Sequence, residues 1–254
     1  MRIVCIIPAR YESTRFPGKP IVDICGKPML WWVYDIANKM KVFEDVFCAI
    51  DDVRIQRVCD DLNLKYVMTR NDHPDHISRV QEVSDKVEAD YYICINGDEP
   101  LITEDCILPV VPSNTTSEPY FGGAMRNLTD PAEVIDPANI KLVISSSGKC
   151  IYMSRIPVPY PKGTLKVVYK KYVGVECFNK KALDFFVGTA MGSIEKAEDI
   201  DHLRFLENDI ELRFSLVESN SISVDTPKDL DFVREKMKER LDSGAIPPEI
   251  RGGV

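Results

Sequence analysis

Residues 5–20 read CIIPARYESTRFPGKP. The apolar run stops at Pro8, and three cations follow, Arg10, Arg15 and Lys19, separated by small and turn-forming residues. The 254-residue chain is acidic, with 32 Lys and Arg against 40 Asp and Glu and a formal charge of -8. Positive charge gathered directly behind a first strand therefore does not reflect bulk composition. A loop between a strand and a helix can turn backbone N–H groups and cationic side chains toward phosphates. The stretch is neither GxxxxGK[ST] nor GxGxxG. Its spacing alone leaves two readings open, a phosphate-binding loop and a solvated loop with unrelated charges.

Working outward, short apolar runs alternate with helical patterns. Strands are predicted over 3–7, 46–51, 65–69 and 91–100, and helices over 28–40, 53–62 and 78–87. Pro28 suits a first helical turn, and Val80, Val83 and Val87 share one helix face. This βαβαβαβ order predicts an α/β fold with a parallel sheet covered by helices. Ligands of such sheets bind outside the carboxyl ends of the strands. The opening loop, 69-TRNDHPDH-76 and 96-NGDEP-100 should therefore meet at one edge. Beyond residue 110 the spacing predicts strands over 119–128 and 140–145, partly antiparallel, and a further strand over 172–178. Helices follow over 180–186 and, unbroken, over 194–206. The turn 223-SVDTPKDL-230 leads into a closing helix over 227–241, whose start is signalled by Asp225-Thr226-Pro227. The expected layout is one domain over 1–241 and a frayed tail over 242–254.

Composition excludes several classes. With 44% hydrophobic residues the chain can bury a core, and its acidity argues against a general nucleic-acid binder. None of the eight cysteines forms a CxxC pair. They read as reduced core thiols of a cytoplasmic protein rather than zinc ligands or disulfides. The first apolar run is too short for a signal peptide, and no run reaches membrane-spanning length. Asp98 and Asp225 each have a plain reading, as a turn former and as a helix cap. They also have a sharper one, as carboxylates for a divalent cation. Glu99 reads either as a helper of Asp98 or as a solvated neighbour.

Residues 6–30, IIPARYESTRFPGKPIVDICGKPML, closely resemble the N-terminal signature of 3-deoxy-manno-octulosonate (Kdo) cytidylyltransferases, IIPAR-x-x-S-[ST]-R-[LF]-P-G-K-P-L-x-x-I-x-G-K-P-M. Further landmarks follow in order to about residue 240: 68-MTRNDH-73, 96-NGDEPLI-102, 136-DPANIKLV-143, 152-YMSRIPVP-159 and SVDTPKDL. The resemblance implies a nucleotide-diphospho-sugar transferase (Rossmann-like) fold. It divides the chain into a nucleotide-binding half over about 1–110, a smaller acceptor and dimerisation lobe over about 110–220, and a metal turn with closing helix over 221–241. It implies transfer of CMP from CTP to a small anionic sugar acid, release of pyrophosphate, dependence on Mg²⁺, a homodimer, and an activated sugar for surface polysaccharide synthesis. No nucleic-acid or membrane partner is implied. Arg10, Arg15 and Lys19 would hold the triphosphate, Pro8 and Ala9 would lie beside the cytosine, and Thr69, Arg79 and Asn96 would line the nucleotide side. Asp98 and Asp225 would hold the metal, and Arg155, Tyr172, Asp201 and His202 would face the acceptor.

The sequence departs from the family pattern mainly on the acceptor side. Asn96 stands for Gln. DHISR (75–79) stands for SGTER, which lines the nucleotide side of the pocket in the family, with only Arg79 kept. YVGVE (172–176) stands for HLGIY, and Asp201-His202 stands for Glu-Gln. These changes predict an altered acceptor, such as an amino-sugar acid, a phosphosugar or a phosphonate, with Kdo a poor substrate. His73, His76 and His202 are expected as polar contacts and not as a metal set. Two alternatives remain. One is a CMP-sialic acid synthetase, whose PARGGSK-like loop differs from PARYESTRFPGK. The other is a non-catalytic nucleotide-binding regulator, against which the retained aspartates and cations count.

Overall fold

The computed structural model describes residues 1–13, 16–164, 166–219 and 221–245; Thr14, Arg15, Leu165, Asn220 and the tail from residue 246 lie outside the described residues. The first strand, β1 (Ile3–Ala9), is buried almost throughout. It reads as an unbroken apolar run because it lies inside a parallel sheet covered on both faces. Its side chains divide between two cores. Cys5 and Ile7 pack with Leu30, Val33 and Ala37, whereas Val4 and Ile6 pack with Ile77, Val80 and Val83.

A small ribbon follows, β2 (Asp23–Ile24) and β3 (Lys27–Pro28), then α1 (Met29–Lys39), β4 (Asp45–Ile50), α2 (Val53–Asp61), β5 (Tyr66–Met68), α3 (His76–Ser84) and β6 (Tyr91–Ile95). β1 pairs in parallel with β4 and β6, and β4 with β5. This is the expected βαβαβαβ unit. Asp52 and Asp75 cap α2 and α3 by accepting the backbone N–H of Arg54 and Ser78.

The second half comprises α4 (Glu104–Ile107), β7 (Phe121–Asn127), α5 (Pro131–Ile135), β8 (Lys141–Ile144), β9 (Cys150–Ser154), β10 (Lys170–Phe178), α6 (Lys180–Gly188), α7 (Ser193–Glu198), α8 (Leu203–Leu206), β11 (Leu212–Leu216) and α9 (Pro227–Asp242). The strand order is β11-β7-β10-β6-β1-β4-β5. β10 runs antiparallel to β6, β7 and β8, and β11 returns parallel to β7. Leu230, Val233 and Met237 of α9 close a third core against Ile24, Met29 and Trp32. No helix among the described residues is long and apolar enough to cross a membrane. All eight cysteines are free thiols.

Two expected elements differ. The strand predicted over 91–100 ends at Ile95, so Asn96 to Asp98 form the turn after it. The helix predicted over 194–206 is broken at Asp199, which adopts φ 51. The break is stabilised from outside: Arg155 donates to the Glu198 and Asp199 carbonyls at 2.6 Å each, groups that a continuous helix would need for its own ladder. The two pieces are tied by a buried ion pair, in which Arg204 grips Glu195 at 2.8 and 2.5 Å and also donates to the Phe186 carbonyl. Removing one partner strands the other charge in the core. Glu195→Ala is therefore expected to lower unfolding free energy by about 3–5 kcal/mol, measured by urea denaturation.

Candidate active site

A cleft of about 430 Å³ opens at the carboxyl edge of β1 and β6, lined by Pro8, Ala9, Arg10, Ser13, Lys19, His73, Asp75, His76, Arg79, Asn96, Asp98, Asp201 and Asp225 among others. The chain reaches this edge in a tight turn. A Cβ on Gly97 would lie 2.7 Å from the Pro8 carbonyl oxygen, so the turn after β6 can lie against the end of β1 only with glycine there.

At one end of the cleft Lys19 organises two distant turns. Its ammonium lies 2.5 Å from Asp98 Oδ2, 2.9 Å from the Val224 carbonyl and 3.5 Å from Asp225 Oδ1. Gly18, at φ 72, turns the chain into the short helical segment that carries Lys19. The Val224 N–H donates to the Asp98 carbonyl at 2.9 Å, which sews the turn before α9 to the turn after β6. Asp225 does not cap α9: Thr226 is the N-cap, in a reciprocal capping box with Asp229. Glu99 is buried, not solvated, and accepts from the Gly174 N–H and the Ser223 hydroxyl.

On one wall of the cleft, Arg79 is buried and held rigidly. It donates to Thr69 Oγ1 at 2.6 Å and to Asp51 Oδ2 at 2.9 Å, and Asp51 also accepts from the Tyr11 N–H. Thr69 does not line the cleft; it braces Arg79 and donates to the Ile50 carbonyl. Asn96 lines the cleft, with its backbone N–H on the Gly174 carbonyl.

At the other end stands a polar cluster. Glu176 of β10 has no exposed surface. Its Oε1 accepts from His202 Nε2 at 2.5 Å and from the Tyr172 hydroxyl at 2.6 Å, and its Oε2 accepts from His76 Nε2 at 2.9 Å. Asp201 lies 3.7 Å from His76 Nδ1. Burial works against the charged form of Glu176, but the two imidazoles outweigh it and hold the carboxyl well below its ordinary range. Burial likewise opposes charge on His76, yet Glu176, then Asp201 and Asp75, push its pKa up to about 9. His73 stands apart, bonded to Glu82 at 2.6 Å and Ser78 at 3.2 Å.

Residues 4–214 match the cytidylyltransferase family. The Escherichia coli 3-deoxy-manno-octulosonate cytidylyltransferase is 34% identical over 244 residues, covering 96% of this chain and 99% of that one. The same enzyme of Thermodesulfovibrio yellowstonii is 34% identical over 250 residues, covering 93% and 98%. A solved CMP:2-keto-3-deoxy-manno-octonic acid synthetase complexed with CTP superimposes with a TM-score of 0.86 at 34% identity, covering 94% of this chain and 100% of that one.

The chain belongs to the 3-deoxy-manno-octulosonate cytidylyltransferase family. It is a CTP-dependent nucleotidyltransferase with the nucleotide-diphospho-sugar transferase fold of that family.

The structure brings most of the sequence-predicted residues of this cytidylyltransferase to the cleft or its walls. Pro8, Ala9, Arg10, Lys19, Arg79, Asn96, Asp98, Asp201 and Asp225 line it. Tyr172 and His202 stand behind it on Glu176. Arg15 lies outside the described residues. Arg155 is not among the cleft-lining residues; its guanidinium is engaged with the carbonyls of Pro137, Glu198 and Asp199. Sequence reasoning passed over Asp51, which holds Arg79, and Glu176, on which the polar cluster converges. The available signal for Glu176 was a carboxylate inside the apolar run 172-YVGVECF-178.

The cluster sets a pH dependence of stability. Glu176, depressed from 4.5, contributes in full above that value and loses its contribution as pH falls. His76, raised from 6.5 to about 9, contributes in full below 6.5 and loses its contribution as pH rises through about 9. The stability gap between wild type and Glu176→Gln is thus expected to be widest between pH 4.5 and 6.5 and to narrow on either side. Urea midpoints followed across pH would check this.

Proposed function

We propose that this enzyme transfers CMP from CTP to a hydroxyl of a Kdo-type sugar acid with release of pyrophosphate, supplying an activated sugar for surface polysaccharide. The observation that carries the reading is the meeting of Asp98 and Asp225 on the Lys19 ammonium, beside Arg10, at the edge of β1. Two carboxylates that converge on one cation are a donor set that suits Mg²⁺, which takes one or two carboxylates with phosphate oxygens and water. When bound, the ion would neutralise phosphate charge and acidify the acceptor hydroxyl. The protein's own groups do the rest. Arg10 and Lys19 offer fixed positive charge to the phosphate oxygens and the leaving pyrophosphate, charge that matters most in the transition state. Arg79, immobilised by Asp51 and Thr69, forms a rigid wall that orients the nucleotide. No side-chain nucleophile is required, because the acceptor hydroxyl attacks the α-phosphorus.

A second reading, that the acceptor is not Kdo itself, is favoured by one observation. His76, Tyr172, Glu176, Asp201 and His202 all depart from the family pattern, and all lie in the one polar cluster. Pockets built from hydrogen bonds discriminate strongly against ligands that leave their polar groups unpaired. Pyrophosphate release from CTP, measured with Kdo beside amino-sugar acids, phosphosugars and phosphonates, separates the readings. A kcat/KM for Kdo of about 10⁴ M⁻¹s⁻¹ or more, unsurpassed in the panel, would establish Kdo; a better substrate elsewhere in the panel would establish the changed acceptor.

CTP is expected to outperform ATP, GTP and UTP as the nucleotide donor in the same assay. Turnover equal or better with another triphosphate would remove the cytidylyl assignment. Asp98→Asn and Asp225→Asn are each expected to lower kcat by roughly two orders of magnitude or more while thermal unfolding stays cooperative. Near-normal kcat in a folded variant would assign that carboxylate a structural role.

A further inference from the structure

The cluster around Glu176 invites two explanations. Its three ligating residues, His76, Glu176 and His202, offer atoms within 4.8 Å of one another, and two histidines with one carboxylate are a set that transition metals accept. The distances argue otherwise. Contacts of 2.5 and 2.9 Å from the Nε2 atoms to the carboxylate oxygens are hydrogen-bond lengths. Ligands each about 2.0–2.2 Å from a shared ion would stand farther apart. The geometry is that of a buried anion held by three donors.

Those contacts determine the protons. An ionised carboxylate only accepts, so both Nε2 atoms facing Glu176 carry hydrogen. His202 is enclosed: it is buried, its ring meets Phe121 edge-on at 5.3 Å, and it packs against Tyr172 at 5.3 Å. His76 is only partly buried and lines the cleft, and its remaining nitrogen, Nδ1, faces the Asp201 carboxylate at 3.7 Å, beyond hydrogen-bond length. The charged or titratable groups around the His76 ring are Glu176 from β10, Asp201 and His202 from the link into α8, and Asp75 from its own helix cap. Two carboxylates on opposite edges of the imidazole favour the doubly protonated ring.

We propose that His76 is an acceptor-specificity residue: Glu176, locked by His202 and Tyr172, positions it as an imidazolium whose Nδ1–H, beside Asp201, donates to an oxygen of the acceptor sugar. The paired Asp201 carboxylate accepts from a neighbouring hydroxyl, so the two together read an oxygen that accepts beside one that donates. Glu176 is a positioning residue, since it acts through His76. The inference rests on the cytidylyltransferase reading of the cleft but not on Kdo as the acceptor. It accounts for the concerted departures from the family pattern: exchanging any one of these side chains alone would leave a buried charge or donor without its partner.

The test combines a titration independent of the acceptor with kinetics. Imidazole NMR of the full chain is expected to show His76 titrating near 9 in the wild type and at least about one unit lower in Glu176→Gln, where the counter-charge is gone. With CTP saturating and Kdo as the probe, kcat/KM for Kdo should fall along the same alkaline limb. If Glu176→Gln returns His76 to an ordinary value of about 6.5, the protonated fraction at pH 8 drops from about nine-tenths to about three-hundredths, and kcat/KM for Kdo drops about thirtyfold. KM for CTP should stay within about twofold, because the cluster lies at the acceptor end. His76→Gln, which keeps a side-chain N–H donor for the Glu176 carboxylate, should give the same loss without an alkaline limb. An ordinary His76 titration in the wild type, a His76→Gln enzyme with unchanged KM for Kdo, or stoichiometric Zn²⁺ binding abolished by either variant would each overturn the proposal. Failure of Kdo to accept CMP would strike Kdo as acceptor while the NMR titration still decides the relay, for it or against it.

Discussion

The active cleft depends on one ammonium group. Lys19 Nζ bonds to Asp98 and to the Val224 carbonyl, with Asp225 at 3.5 Å, and so joins turns separated by about half of the sequence. Two carboxylates drawn this close repel unless a cation lies between them. Lysine satisfies that constraint within the folded chain and keeps the pair aligned. The Val224 to Asp98 backbone hydrogen bond and the capping box of α9 hold the same two turns from behind. The site therefore sits on rigid elements, as fixed transition-state electrostatics require.

The cleft has two ends of opposite construction. At one end, Arg10 and Lys19 present positive charge to a cleft that is open to solvent. At the other, the buried carboxylate of Glu176 is linked to the cleft through His76. A buried carboxylate is costly unless it is paired and hydrogen-bonded. Here three donors meet it, and the strand that carries it also carries Tyr172, one of those donors. Such a network resists piecemeal change.

Much of the fold was legible because its signals are local. β1, β4 and β6 announce themselves as apolar runs since both faces of each are covered. Arg10, Lys19 and the two aspartates were legible as cleft residues because turn chemistry and a long resemblance place them. The break at Asp199 was not, because the residues of 194–206 are compatible with one helix. The interruption is stabilised by Arg155, which arrives from another strand and takes the carbonyls the helix would use. The same contact occupies Arg155 away from the cleft that the resemblance assigned it to. Asp225 looked like a cap because it precedes a helix, yet Thr226, one residue on, has the geometry to accept from Asp229.

By itself the sequence determined the parallel α/β half and the edge of the sheet at which the cleft opens, because periodicity, turns and contiguous motifs are written in neighbouring residues. Only the tertiary structure decided what Glu176 does. A carboxylate in an apolar strand reads as an anomaly until His76, 100 positions earlier in the chain, and His202, 26 positions later, are brought onto its two oxygens. No local pattern encodes such a meeting. It exists because β10 lies beside β6 while α3 and α8 pack over the same face of the sheet, and because a buried charge persists only where the fold delivers its partners.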